Sequence, residues 1–156
     1  MSGWGWIMAE DELTGGCQCG AVRYRVPATP LRASVCYCRM CQRASGGPFM
    51  AFMRHAAADV VWTGQPAIFR SSNFVERGFC GACGTPLTYR WVEGPNISLT
   101  LNSLDDPEAV RPELRYSPET EVSWCGRLEG LPTKQMDVTG DARFVNHQWT
   151  GSPTAD

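Results

Sequence analysis

The chain has 156 residues, enough for one domain with its own core, since a chain of this size buries about 70% of its unfolded surface. A net charge of −2 and a pI near 5.7 give no electrostatic reason to expect nucleic acid or an anionic membrane as partner. No stretch approaches the roughly 20 apolar residues of a membrane span.

Residues 1–14 read as a loose N-terminal tail in which Trp4 and Trp6 can pack onto the body of the protein. The tail lacks the basic start and apolar run of a secretory signal and carries Glu10, Asp11 and Glu12, so a cytoplasmic location is expected. A single domain is expected over 15–150, followed by a tail over 151–156. After Gly15-Gly16, Ala21 to Val26 alternates Val22, Tyr24 and Val26 against Arg23 and Arg25, which predicts a half-buried strand ended by Pro27 and Pro30. Leu31 to Val35 leads into a cysteine-rich segment. Ser45-Gly46-Gly47-Pro48 reads as a loop and Phe49 to Met53 as a strand. Val60 to Trp62, Ala67 to Arg70, Phe74 to Phe79, Leu87 to Trp91 and Asn96 to Leu101 follow as short strands separated by turn residues, including Glu93-Gly94-Pro95. Beyond Leu101 the pattern weakens. Asp105-Asp106-Pro107-Glu108 reads as a turn or helix start with Asp106 as its cap, and Pro132 to Val138 as a short helical turn. Many short strands with almost no helix predict an all-β fold, an antiparallel sandwich or a barrel-like sheet.

Eight cysteines are the anomaly. In a reducing compartment, clustered cysteines point to metal or catalysis before disulfides. Seven fall in three tight groups: Cys17 with Cys19; Cys36, Cys38 and Cys41; and Cys80 with Cys83. Neighbours this close make strained disulfides but natural chelating pairs. Cys80-x-x-Cys83-Gly84 reads as a zinc knuckle in which Gly84 lets backbone amides approach the sulfurs without a Cβ clash. A knuckle supplies two ligands and a structural zinc takes four. Cys17 and Cys19 can complete it, leaving Cys36, Cys38 and Cys41 as a local set of three, but spacing equally permits Cys17 and Cys19 to share an ion with two of the cysteines at 36–41. Cys125, beside Trp124, reads as a small buried apolar residue, and His55 and His147, spare ligands by type, as polar core or surface residues.

Three stretches carry a family resemblance: Gly16-Cys17-Gln18-Cys19-Gly20-Ala21-Val22; Cys36-Tyr37-Cys38-Arg39-Met40-Cys41-Gln42-Arg43 with Ser45-Gly46; and Arg77-Gly78-Phe79-Cys80-Gly81-Ala82-Cys83-Gly84-Thr85-Pro86-Leu87. Leu104-Asp105-Asp106-Pro107 and Trp124 extend them. The chain resembles the glutathione-dependent formaldehyde-activating enzymes and the related centromere protein V type of domain, from about Gly15 to Leu131. The resemblance implies a β-tent of twisted antiparallel sheets. It implies a structural zinc on Cys17, Cys19, Cys80 and Cys83, and an active-site zinc on Cys36, Cys38 and Cys41. It also implies the condensation of glutathione with formaldehyde to S-hydroxymethylglutathione, a carbon–sulfur lyase reaction in reverse. Many family members carry His where this chain has Tyr37 and where it has Arg115, so the substrate thiol or aldehyde can differ.

Three thiolates give a bound zinc a net charge of −1, which suits a soft fourth ligand such as a small thiol. Tyr37, Arg39 and Arg77 are the expected catalytic residues: Tyr37 as a proton donor between two ligands, the arginines as partners for thiolates and peptide carboxylates. Arg43, Arg54, Ser71 and Ser72 are further helpers, whereas Asp105 and Asp106 read as turn formers. Two other readings stand beside the enzyme: a non-catalytic zinc module that binds a small thiol or a protein partner, and a protein in which both zincs are structural.

Overall fold

The computed structural model describes residues 12–135 and 140–151. Among them are ten strands: β1 (Glu12–Gly16), β2 (Arg23–Pro27), β3 (Arg32–Cys36), β4 (Met50–Ala56), β5 (Val61–Thr63), β6 (Ala67–Arg70), β7 (Val75–Phe79), β8 (Pro86–Trp91), β9 (Asn96–Thr100) and β10 (Leu114–Tyr116). They form a three-stranded sheet in the order β1-β2-β5 and a seven-stranded sheet in the order β10-β3-β4-β9-β8-β7-β6. The all-β class read from the sequence holds, and every neighbouring pair is antiparallel apart from β10 with β3. No closed barrel forms, and no helix among the described residues is long and apolar enough to cross a membrane.

Alternation on the strands separates two apolar regions. In β2 and β9 the inward positions are Tyr24 and Val26, and Ile97 and Leu99. These residues, with Val22, Met53, Leu87, Leu101 and Leu104, make the main core between the two sheets. Successive strand residues point to opposite faces, so Met50 and Phe52 of β4 turn away from Met53. They form a smaller cluster with Cys41 on the other face of the seven-stranded sheet, joined by Cys36, Cys38 and Tyr89. The first cysteine set lies in the main core and the second on the far face.

Three elements differ from the sequence expectation. Glu12–Thr14, placed in the tail, open β1, which pairs with β2 and is joined to the rest by a bridge from Gly15 to Leu104. A seven-residue α-helix, α1 (Arg39–Ser45), lies inside the three-cysteine segment. Its residues are mostly good helix formers, and Gly46 closes it in a left-handed conformation (φ 68°) with its amide donating to the Gln42 carbonyl at 2.9 Å. β10 arises in the stretch read as irregular. Residues 132–135 form no regular element; Trp4, Trp6, the remainder of the expected turn at 136–138 and residues 152–156 lie outside the described residues.

Candidate metal centres and cavity

The first group assembles from two loops. Cys17 and Cys19 follow β1, while Cys80 and Cys83 lie in the turn between β7 and β8. All four sulfurs fall within 4.8 Å of one another. Cys17 Sγ is 3.5 Å from Cys19 Sγ, and Cys19 Sγ is 3.8 Å from Cys80 Sγ. Zinc–sulfur bonds of about 2.3 Å at tetrahedral angles put sulfurs about 3.8 Å apart, so these residues fit a four-thiolate ion. The rival grouping with cysteines of the 36–41 segment does not form.

The loops are held by their own hydrogen bonds. The Val22 amide donates to Cys17 Sγ at 3.3 Å, and the Gln18 amide to Thr85 Oγ1 at 3.1 Å, joining one loop to the other. Thr85 Oγ1 lies 3.2 Å from Cys83 Sγ. Burial raises the Cys83 thiol, but the Thr85 hydroxyl and amide outweigh it and bring the thiol down to about 6. A Cβ on Gly84 would meet nothing within 4 Å, so steric clearance is not what glycine provides there. The requirement is its φ of 79°, a left-handed turn whose amide donates to the Cys80 carbonyl at 2.8 Å. Trp149 covers the first loop: its amide donates to the Gln18 carbonyl at 2.6 Å, and the Arg23 guanidinium sits 3.7 Å from its ring centroid.

The second group is local. Cys36 ends β3, Cys38 is the N-cap of α1, and Cys41 sits in its first turn. Their sulfurs lie within 4.8 Å of one another, and among the described residues no further Cys, His, Asp or Glu joins them. Cys125 and His147 belong to neither group, and His55 is buried in β4. The loop is braced through the Tyr37 carbonyl, which accepts from Gln42 Nε2 at 2.8 Å and Thr120 Oγ1 at 2.9 Å.

The three sulfurs open into a cavity of about 500 Å³ on the face of the seven-stranded sheet. Arg77, only 8% exposed, reaches them from β7: Nη2 is 3.4 Å from Cys41 Sγ, and its Cζ lies 5.0 Å from the Tyr89 ring centroid. Burial pushes the Cys41 thiol up to about 12 against the pull of Arg77. Burial also raises the Tyr89 phenol, again opposed by Arg77, so that it keeps its proton at neutral pH. A buried guanidinium is stable only beside compensating anions, and no carboxylate pairs with Arg77 among the described residues. A zinc tris-thiolate of charge −1 matches that single positive charge, so this donor set also fits the metal.

The other expected site residues are placed differently. Tyr37 is buried with its ring 5.6 Å from that of Phe49, and Arg115 stacks over it at 5.0 Å. The two positions that depart from the family's usual His therefore touch each other. Arg39 Nη1 donates to Gln42 Oε1 at 3.0 Å. Neither Tyr37 nor Arg39 lines the cavity, whereas Arg54 does. Ser71 and Ser72 bond within their own turn, where Ser72 Oγ accepts from the Phe74 and Val75 amides. Asp106 caps the Glu108 amide at 2.9 Å, and Asp105 pairs with Arg23 and accepts from Thr14 Oγ1 at 2.6 Å. Tyr89, Arg32 and Trp91 line the cavity without having been singled out in the sequence. The alternation of β3 and β8 is the signal for them, readable only once the strand register is known.

Comparison with known proteins agrees with the geometry. The family model described as "Glutathione-dependent formaldehyde-activating enzyme" matches residues 12–121. An uncharacterized lyase of Schizosaccharomyces pombe is 33% identical over 85 residues, which cover 54% of this chain and 62% of that protein. A Halomonas elongata protein named after the same family is 34% identical over 112 residues, covering 66% of this chain and 71% of its own length. A crystal structure of a Rhodobacter sphaeroides protein superimposes with a TM-score of 0.51 at 20% identity, over 67% of this chain and 99% of that one, a likeness of fold alone.

Proposed function

The chain belongs to the glutathione-dependent formaldehyde-activating enzyme family, and from that membership we propose that its cavity joins a glutathione-like thiol to formaldehyde, acting as a carbon–sulfur lyase in the reverse direction. The observation that carries this reading is the three-sulfur group. It opens into the cavity with a buried arginine against it and no fourth protein ligand among the described residues. Cys36, Cys38 and Cys41 would hold a zinc ion there, and Cys17, Cys19, Cys80 and Cys83 a structural one. An ion held there would lower the pKa of a substrate thiol so that it is a thiolate at neutral pH.

The residues of the chain do the rest. Arg77 balances the charge of the sulfur group and fixes Cys41. Tyr89 lines the cavity, and its protonated phenol is able to donate to an oxygen that gains charge when a thiolate attacks an aldehyde carbon. Binding both reactants in one cavity removes part of the entropic barrier. Tyr37 and Arg39 act through the loop: the Tyr37 carbonyl and the Arg39–Gln42 bond hold α1, and with it Cys38 and Cys41, in place. A purely structural second zinc needs a fourth protein ligand, and neither Cys125 nor His147 is near enough to supply one.

Exchange spectroscopy of formaldehyde and glutathione tests the reading. The native protein should accelerate S-hydroxymethylglutathione formation and breakdown above the spontaneous rate, and Cys38→Ser should abolish the acceleration while remaining folded. An exchange rate indifferent to the native protein would leave only a thiol-binding module.

A further inference from the structure

The cavity carries a second charged feature away from the cysteines. Arg32 of β3 and Arg54 of β4 are directly opposite each other in the antiparallel register, on the face where Arg54 in turn opposes Ser98 and Ser98 opposes Tyr89. Like charges in directly opposed positions destabilise a sheet unless something neutralises them. Among the described residues no acidic side chain lines the cavity. Arg32 Nη1 donates to Tyr116 Oη at 2.9 Å, a neutral partner that orients the guanidinium without balancing its charge. The Arg54 guanidinium has no hydrogen bond or ion pair to any described residue. Both side chains line the same cavity as the three sulfurs.

We propose that Arg32 and Arg54 form a carboxylate clamp that receives the glycine-end carboxylate of a glutathione-like thiol, an inference that rests on the function proposed above. Two guanidinium groups present parallel donors that match one carboxylate. The offset from Arg32 to Cys36 along β3 is about 13 Å between Cα positions, and the long arginine side chains shorten it to the span of a small extended peptide. The clamp selects between the two acidic ends of such a thiol. The γ-glutamyl end carries an ammonium beside its carboxylate and is neutral overall, which two unpaired cations do not favour. The glycine end is a lone anion. Thiols without that anion lose the second anchor and depend on the sulfur alone.

Calorimetric titration of the metal-loaded protein with glutathione, with its glycine amide and with S-methylglutathione tests the clamp. The native protein should bind the free acid about 10-fold to 100-fold more tightly than the amide. Arg54→Gln should erase that ratio by weakening only the acid, and Arg54→Lys should restore part of it. Arg54 is exposed at the cavity, and an unchanged circular dichroism spectrum and metal content show that the variant is folded. Equal affinity for acid and amide in the native protein overturns the clamp and leaves the proposed function standing. S-methylglutathione binding as tightly as glutathione, and weakened as much by Arg54→Gln, keeps the clamp and counts against the thiol site. No binding of any of the three peptides overturns both.

Discussion

Arg77 is the one buried arginine or lysine among the described residues, and its partners define what it does. It contacts a sulfur ligand, Met50 Sδ at 3.8 Å and the face of Tyr89. Groups that orient a metal ligand from behind are typically worth about 10-fold to 100-fold in metal affinity or activity. Arg77→Met should therefore weaken metal binding at the three-cysteine group by about that factor while leaving the four-cysteine group unaffected, as read by competition with a chelator and metal analysis. His55 gives a different test. It is 2% exposed, and its buried Nε2 has no hydrogen-bond partner among the described residues. Burial lowers its pKa, with Asp59 pulling weakly the other way. The imidazole is therefore neutral in the folded protein and takes up a proton more readily when unfolded, so folding stability is level above the ordinary histidine value of about 6.5. Below it, stability falls as pH drops toward the folded-state value. Urea unfolding of the native protein and His55→Leu between pH 7.5 and about 5.5 should show a shallower acid loss in the variant, the remaining slope coming from protonation of the metal thiolates.

At the scale of elements, the cysteine groups were legible because each is set by neighbours a few residues apart. Their partition needed the fold, since β7, the turn after it and the loop after β1 meet only through the two sheets. α1 is not legible in the sequence because two turns are too short for an amphipathic repeat to show, and Arg39, Cys41 and Gln42 of its seven residues serve the sulfur group and the brace on Tyr37. β1 has one apolar residue, Leu13, among polar and glycine positions, and β10 only Leu114 and Tyr116. Neither alternates long enough to read as a strand. β1 is nevertheless tightly seated. A Cβ on Gly15 would come within 2.5 Å of the Ser103 carbonyl oxygen, and the nearby Tyr24 hydroxyl is 2.7 Å from Ser103 Oγ. Gly15→Ala should destabilise the protein by about 1–3 kcal/mol, the usual range for overpacking, measured by denaturant unfolding, with any metal content unchanged in the folded fraction.

For the whole molecule, the arrangement separates folding from chemistry. The four-cysteine group is built into the main core, where Cys17 and Cys80 are almost fully buried. The three-cysteine group sits on the opposite face of the larger sheet, beside the cavity. Metal binding at a structural site contributes about 10–16 kcal/mol toward folding in small zinc domains, comparable to the whole stability of a domain. Cys80→Ser should therefore leave no cooperative unfolding transition, whereas Cys38→Ser should unfold cooperatively and lose one metal ion. Equal unfolding of both variants would make the second group structural as well. The family was legible from the cysteine flanks; the face on which the cavity forms, and the row of arginines across it, come from strand register alone. The most direct measurement is a crystal structure of the metal-loaded protein soaked with glutathione. The account predicts the peptide's sulfur at the ion held by Cys36, Cys38 and Cys41, with the ion at Cys17, Cys19, Cys80 and Cys83 unchanged. A fourth protein ligand at the first of these ions, or the 36–41 cysteines joined in disulfides, would contradict it.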